Sequence, residues 1–268
     1  MRRLPADKFA ALNFPVEDSP ENCSTLFLLQ RSSSIIQVDN PLNPKLVVVT
    51  YPSLFPSMRF FFGKADRVVL IQRLLRDIQS PADLVIPTSM LPLVSNYWPI
   101  RFSIPVFFLA ARPEQWRPLP SNDSRVRLLT AEDVSGLRKA FAEEHAWLWE
   151  FFFTPENLIK EGQAIAAFVD GEIACVATTL AFTERYCEIG VVTRPKFRGM
   201  GLALECCRSL SYLQYHQYDR LTCWRTDFGN VASRKVASKL GLNELKSGEK
   251  YLFISNYQHV GAYATVAP

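Results

Sequence analysis

Histidine is scarce in this chain, with three in 268 residues at positions 145, 216 and 259. Six cysteines, at 23, 175, 187, 206, 207 and 223, never fall into Cys-x-x-Cys spacing, so no metal-ligand set can be read and no metal is expected. A chain of this length buries enough apolar surface to fold without a disulfide framework, so the six are expected to be reduced thiols of a cytoplasmic protein. Long apolar runs are missing as well: residues 104–111 and 164–169 fall well short of the roughly 20 that a membrane helix needs. After Met1-Arg2-Arg3, the charges of Asp7, Lys8, Glu17, Asp18 and Glu21 interrupt any apolar segment, so neither a membrane partner nor an export signal is expected. Charge of one sign is also absent: 30 Lys and Arg against 26 Asp and Glu leave +4, spread over both halves. That excludes a polybasic arm, and nucleic acid is not an expected partner. There is no low-complexity tract and no repeat of solenoid period.

What is present is an ordinary globular composition, 48% apolar and 21% charged, long enough for one large domain or two modest ones. Proline and glycine decide between these. Fifteen of the eighteen prolines precede Val126, whereas ten of the eleven glycines follow it. The change coincides with residues 112–124, where three prolines and a polar tail read as a linker. The expected division is a smaller α/β unit at 1–124 and a second unit at 125–268.

In the first unit, residues 25–30, 34–38 and 46–51 read as strands, 65–78 as an amphipathic helix, and further strands are expected around Leu84 and Phe107. No chemistry motif falls here, so its role is unassigned. In the second unit, residues 126–129 read as a strand and Thr130 with Asp133 as a capping box. Thr154-Pro155 starts a second helix. Asp170-Gly171 between two apolar runs is a hairpin signal. A strand at 186–193, a helix at 201–216, a strand at 221–225 and a helix at 230–240 closed by Gly241 follow, with a last strand near Tyr251. The expected fold class is α/β with a mixed sheet.

The chemistry concentrates in Thr193-Arg-Pro-Lys-Phe-Arg-Gly-Met-Gly-Leu-Ala203, which joins a strand to a helix. Gly199 and Gly201 let backbone N–H groups face an anion, the helix start adds its unsatisfied N–H groups and positive dipole end, and Arg198 adds charge. It is not a P-loop, which ends in Gly-Lys-Ser/Thr, nor a dinucleotide fingerprint, which needs glycine where Leu204 stands.

Arg198-x-x-Gly201-x-Ala203 after Glu188-Ile-Gly-Val-Val-Thr193, followed by Trp224, Asn230-x-x-Ser233 and Lys239-Leu-Gly-Leu242, resembles the GNAT superfamily of acetyl-CoA-dependent N-acetyltransferases. The wording is similar to a bacterial branch that carries an additional N-terminal domain. The resemblance runs from about Val126 to Leu242 and finds nothing comparable before it. It implies that the strand from Glu188 splays from the strand at 221–225 and that acetyl-CoA lies in the gap, paired with the backbone of Val191, Val192 and Thr193. Arg198, Gly199, Met200, Gly201, Leu202 and Ala203 would hold the pyrophosphate. Asn230 and Ser233 would meet the cofactor arm from the other side, a role compatible with Asn230 as a helix N-cap.

Transfer of an acetyl group to a primary amine in a ternary complex needs a base to free the nitrogen of its proton. Glu188, a carboxylate in an apolar strand, is the candidate, with an ion-paired structural glutamate as the competing reading. The N–H of Val192 or Thr193 would stabilise the oxyanion. Where the family often has a general-acid tyrosine, this chain has Ala237, so the acid is unassigned; a thiolate with a pKa near 8.5 leaves without full protonation. The aromatic run 145–153 reads as core packing, with a pocket wall as the alternative. An acyl-CoA-binding regulatory or interaction module with little turnover, and a longer acyl chain, are the other functional readings.

Overall fold

The computed structural model describes residues 2–4, 17–31, 34–51, 55–63, 68–76, 78, 82–141, 145–245 and 251–256. Its strands are β1 (Arg2–Leu4), β2 (Ile35–Val38), β3 (Leu46–Tyr51), β4 (Phe55–Gly63), β5 (Asp83–Pro87), β6 (Phe102–Ala110), β7 (Val126–Leu128), β8 (Ala164–Val169), β9 (Glu172–Phe182), β10 (Tyr186–Thr193), β11 (Leu221–Asp227), β12 (Asn243–Glu244) and β13 (Tyr251–Ser255). The helices are α1 (Cys23–Leu29), α2 (Val68–Arg76), α3 (Leu91–Ser95), α4 (Val134–Phe141), α5 (Pro155–Asn157), α6 (Leu202–Tyr218) and α7 (Val231–Leu240).

Local chemistry accounts for the boundaries in the second half. Asp170 and Gly171 both take positive φ, the geometry of a type I′ turn, and so join β8 to β9 as a hairpin. Thr130 and Asp133 close a reciprocal capping box ahead of α4. Thr154 accepts a hydrogen bond from the Asn157 N–H, with Pro155 in the first turn of α5. Gly241, at φ 94°, ends α7 in the left-handed conformation that only glycine adopts without strain.

All strands join one mixed sheet in the order β1-β2-β3-β4-β5-β13-β6-β11-β10-β9-β8-β7, with β12 added beside β6. This order is symmetric about its centre. In the first half, β2, β3 and β4 are antiparallel neighbours, and β4 crosses through α2 to the parallel β5. In the second half, β8, β9 and β10 repeat that arrangement, and β10 crosses through α6 to the parallel β11. Each half then receives its next strand from the other: β6 lies against β11, β13 lies against β5, and the two exchanged strands pair with each other in the middle. Units 1–124 and 125–268 are therefore interleaved in the sheet rather than set side by side.

One sequence expectation fails. Residues 25–30 form not a strand but most of helix α1, whose Cys23, Ser24, Thr25, Phe27, Leu28 and Leu29 are all buried. A helix covered on nearly every side has no amphipathic period, so its short apolar run looks like a buried strand. The helix packs against β9 and β10 of the second half as well as β3 of its own, and its residues share one apolar core with those strands. A second cluster, containing Val48, Phe61, Ile71, Leu84, Trp98 and Ile254, covers the first half and the strand it borrows. No helix among the described residues is long and apolar enough to cross a membrane.

Candidate active site

β10 and β11 pair in parallel over only three residues, Tyr186 with Leu221, Cys187 with Thr222 and Glu188 with Cys223. Beyond Glu188, β10 stays paired with β9 as far as Thr193. Over the same stretch β11 turns to β6, pairing from Cys223 with Ala110 to Asp227 with Val106. The sheet thus opens between residues 189–193 and 224–227, as the resemblance implies. A register shift against β9 between Glu188 and Ile189 marks the point of parting, and bulges of this kind bend a strand away from its neighbour. The first half has the same opening, since β4 and β5 pair only from Met58 with Asp83 to Phe60 with Val85. There, however, Phe61 and Ile86 beyond the parting are fully buried in apolar core, whereas Val191, Val192 and Thr193 are partly exposed. The residues after β4 are Lys64-Ala65-Asp66-Arg67, with no Gly-x-Gly.

At the mouth of the open gap stands the predicted phosphate loop. Gly199 and Gly201 take φ of 82° and 77°, and a Cβ at either would meet nothing within 4 Å. Backbone conformation, not lack of space, is what requires glycine there. Gly201 caps α6, so the N–H groups of Leu202 and Ala203 in its first turn have no partner within the helix. Leu202 is buried and fixes the helix start, as buried Phe197 fixes the loop. Met200 is exposed. Arg194 and Lys196 are both engaged by Glu172, at 2.9 and 2.6 Å. Arg198, exposed, makes no ion pair among the described residues and only a long 3.5 Å hydrogen bond from Nε to the Thr193 carbonyl.

Across the gap, Asn230 caps α7 by accepting the Ser233 N–H at 3.0 Å. The Ser233 hydroxyl accepts the indole N–H of Trp224 on β11 at 2.9 Å. Both residues thus carry structural hydrogen bonds. Ala237 is completely buried and offers no acid.

Glu188 lies at the apex of the opening, 2% exposed. The Ser24 hydroxyl donates to Oε2 at 2.5 Å, and Arg225 Nε lies 3.1 Å from Oε1. Oε1 nonetheless accepts no hydrogen bond among the described residues. A buried carboxylate is normally saturated with donors, so this open position is an exception.

Above Gly190 sits Trp147: a Cβ at 190 would lie 2.8 Å from the indole and 2.9 Å from the Leu180 side chain. The rest of the aromatic run is mostly core, with Leu148, Trp149, Phe151 and Phe152 buried, and Phe27 of α1 packed against Phe151, Phe152 and Phe182 at ring distances of 5.0–6.3 Å. Within it, burial pushes the Glu150 carboxyl up to about 7. Asp227, at the end of β11, is likewise raised by burial, against the opposing influence of Arg225. The sequence reading missed Ser24, Arg225, Glu150 and Asp227. Only Glu150 had a signal, a single carboxylate among five aromatic neighbours; the others become visible once α1 and β11 are placed.

Beside the phosphate loop, a cleft of about 1060 Å³ is walled by the segment from Arg112 to Asp123, by Met200, Gly201 and Arg208, and by Lys239. All six cysteines are buried and free, and no metal-ligating group of three or more side chains occurs among the described residues.

Comparison with known proteins is consistent with this geometry. Residues 119–251 match the family model described as GNAT acetyltransferase. An uncharacterised N-acetyltransferase from the mutA 5′ region of Streptomyces virginiae is 32% identical over 94 residues, which is 35% of this chain and only 39% of that relative. The fold is similar to that of a GCN5-related N-acetyltransferase-like protein from Streptococcus suis, with TM-score 0.64 and 18% identity over 94% of this chain and 98% of the other. It is also similar to a GCN5-related N-acetyltransferase from Kribbella flavida, with TM-score 0.63 and 14% identity over 91% and 97%. A tandem GNAT protein of the clavulanic acid biosynthesis pathway has TM-score 0.59 and 11% identity over 96% of both chains. Residues 119–251 are thus similar to the GNAT acetyltransferases, and the fold of the chain is similar to theirs.

Proposed function

We propose that the protein moves an acetyl group from acetyl-CoA to a primary amine by direct attack in a ternary complex. The observation that carries this reading is the coincidence of three features at one place: a parallel strand pair that parts after three residues, a loop with two positive-φ glycines at the mouth of the gap, and a buried carboxylate at its apex.

In this reading the unpaired edge of Val191, Val192 and Thr193 takes the pantetheine arm, while Gly199, Met200, Gly201, Leu202 and Ala203 present N–H groups to the pyrophosphate, with Arg198 as counter-charge. Asn230 and Ser233 flank the arm from α7. The basic cleft beside the loop, with Arg112 and Lys239, suits the phosphate-bearing nucleotide end of the donor. Glu188 takes the proton of the acceptor ammonium, directly or through a water on Oε1. The amine nitrogen then bonds to the thioester carbonyl carbon, the backbone N–H of Val192 or Thr193 stabilises the oxyanion, and the C–S bond breaks. CoA leaves as thiolate, whose reference pKa near 8.5 makes a protein acid at position 237 dispensable. The products are the N-acetyl amine, CoA and one proton.

Calorimetric titration with acetyl-CoA, beside Arg198→Glu and Gly201→Glu, tests the donor site: binding in the wild type and its loss in both variants is expected. A panel of primary amines, with Glu188→Gln as control, then tests turnover. No binding by folded wild-type protein would sink the reading. Binding without CoA release from any amine would favour the regulatory module instead.

A further inference from the structure

We propose that Ser24 is a positioning residue of the acyl-transfer site, supplied by the N-terminal half to fix the orientation of the Glu188 carboxylate. The inference rests on the reading of Glu188 as the base and deepens it, because Ser24 lies outside the region that matches the family.

Glu188 and Ser24 are 164 residues apart, and both are almost completely buried. A serine inside a helix ordinarily turns its hydroxyl to solvent or back to the carbonyl four residues earlier. Ser24 does neither, and donates to Oε2 across the interface between the halves. Arg225 Nε lies 3.1 Å from Oε1, so each carboxylate oxygen has a neighbour, one from each half. Neither neighbour comes from β10 itself, whose backbone is irregular just after Glu188.

The helix that carries Ser24 is itself fastened to the second half. Phe27 is packed among Phe151, Phe152 and Phe182. Arg31, just past the helix, stacks on Phe27 at 4.3 Å and pairs with Glu161 at 3.0 Å. Ser24 is therefore held in place by the same elements that shape the acceptor side of the gap.

The other groups around Glu188 are Arg225 and Cys223 from β11, Cys187 from β10, and Cys23 of α1 beside the two thiols. Burial pushes Cys187 up to about 12 and Cys223 well above its ordinary value, so both stay neutral across the working range.

The test is the pH profile of kcat/KM for the best amine of the panel in wild type, Ser24→Ala and Ser24→Thr. In Ser24→Ala kcat is expected to fall by about tenfold with KM for the amine little changed, the pH profile to differ from that of the wild type, and acetyl-CoA affinity by calorimetry to stay unchanged, which also shows that the variant is folded. Ser24→Thr, which keeps the hydroxyl, restores profile and rate. Wild-type kcat and profile in Ser24→Ala, with Glu188→Gln inactive, overturn the role of Ser24 alone. Full activity in Glu188→Gln overturns the reading of Glu188, and the role of Ser24 with it.

Discussion

The indole of Trp147 occupies the space that any side chain at position 190 would need, 2.8 Å from where a Cβ would be. The tryptophan thereby roofs β10 just where it leaves β11, and glycine is the residue that lets it approach. Gly190→Ala is expected to destabilise the protein by about 1–3 kcal/mol, the usual consequence of overpacking. Adding Trp147→Ala should recover part of the lost Tm in thermal denaturation, the Leu180 side chain remaining 2.9 Å from the new Cβ. A double variant that melts no higher than Gly190→Ala would show that the ring is not the obstacle.

The glycines of the phosphate loop make a different prediction, because nothing crowds them. Alanine at 201 strains a left-handed backbone by about 1–2 kcal/mol, so Gly201→Ala should weaken acetyl-CoA by roughly tenfold, with Gly201→Asn closer to wild type. Equal affinities of all three proteins by calorimetry would show that the bound loop does not use this conformation.

Arg112 and Lys239 face the cleft beside that loop. If the nucleotide end of the donor lies there, Arg112→Glu with Lys239→Glu weakens acetyl-CoA several-fold, and the loss is smaller for dephospho-CoA, which carries less charge. An equal loss for both ligands would place the terminal phosphate elsewhere.

Glu150 predicts a pH dependence of stability. Its carboxyl is raised from 4.5 to about 7 by burial, so between those values the folded chain binds more protons than the unfolded one, and stability falls as pH rises through that window. Glu150→Gln removes this loss. Its Tm relative to wild type should therefore climb from pH 5 to pH 8. A constant difference across the range would mean that Glu150 titrates normally.

How far the sequence could be read depended on how locally each feature is determined. Asp170-Gly171, the Thr130 to Asp133 box and Gly241 carry their conformations within a few residues, and all three appear as expected. The need for glycine at 199 and 201 was legible for the same reason, since both act through their own backbone. The exchange of β6 and β13 was not, because a strand's neighbours depend on pairing over more than a hundred residues, and nothing in 102–110 names β11 as its partner. The symmetric order of the sheet was equally hidden: the two halves share topology but not residues, and Lys64-Ala65-Asp66-Arg67 has nothing in common with the loop after β10. Ser24 was lost with its helix, which was read as a strand.

A fragment of residues 125–268 lacks both β6 and α1, leaving the β11 edge and the apolar face under Phe27 uncovered. Expressed alone it should aggregate, and co-expression with 1–124 should return part of it to a soluble complex by size-exclusion chromatography. A monomeric, acetyl-CoA-binding 125–268 would show the exchanged strand to be dispensable.

The exchange of β6 and β13 also sets an order for synthesis at the ribosome. β5 finds its second neighbour only when residues 251–255 have been made, some 165 positions later, so the first half emerges with an open strand edge and waits through the translation of the second. Contacts of such sequence separation slow folding and lengthen exposure to wrong pairings. The nascent chain is therefore most vulnerable before β13 arrives, and maturation of the first half is tied to translation of residues 251–255.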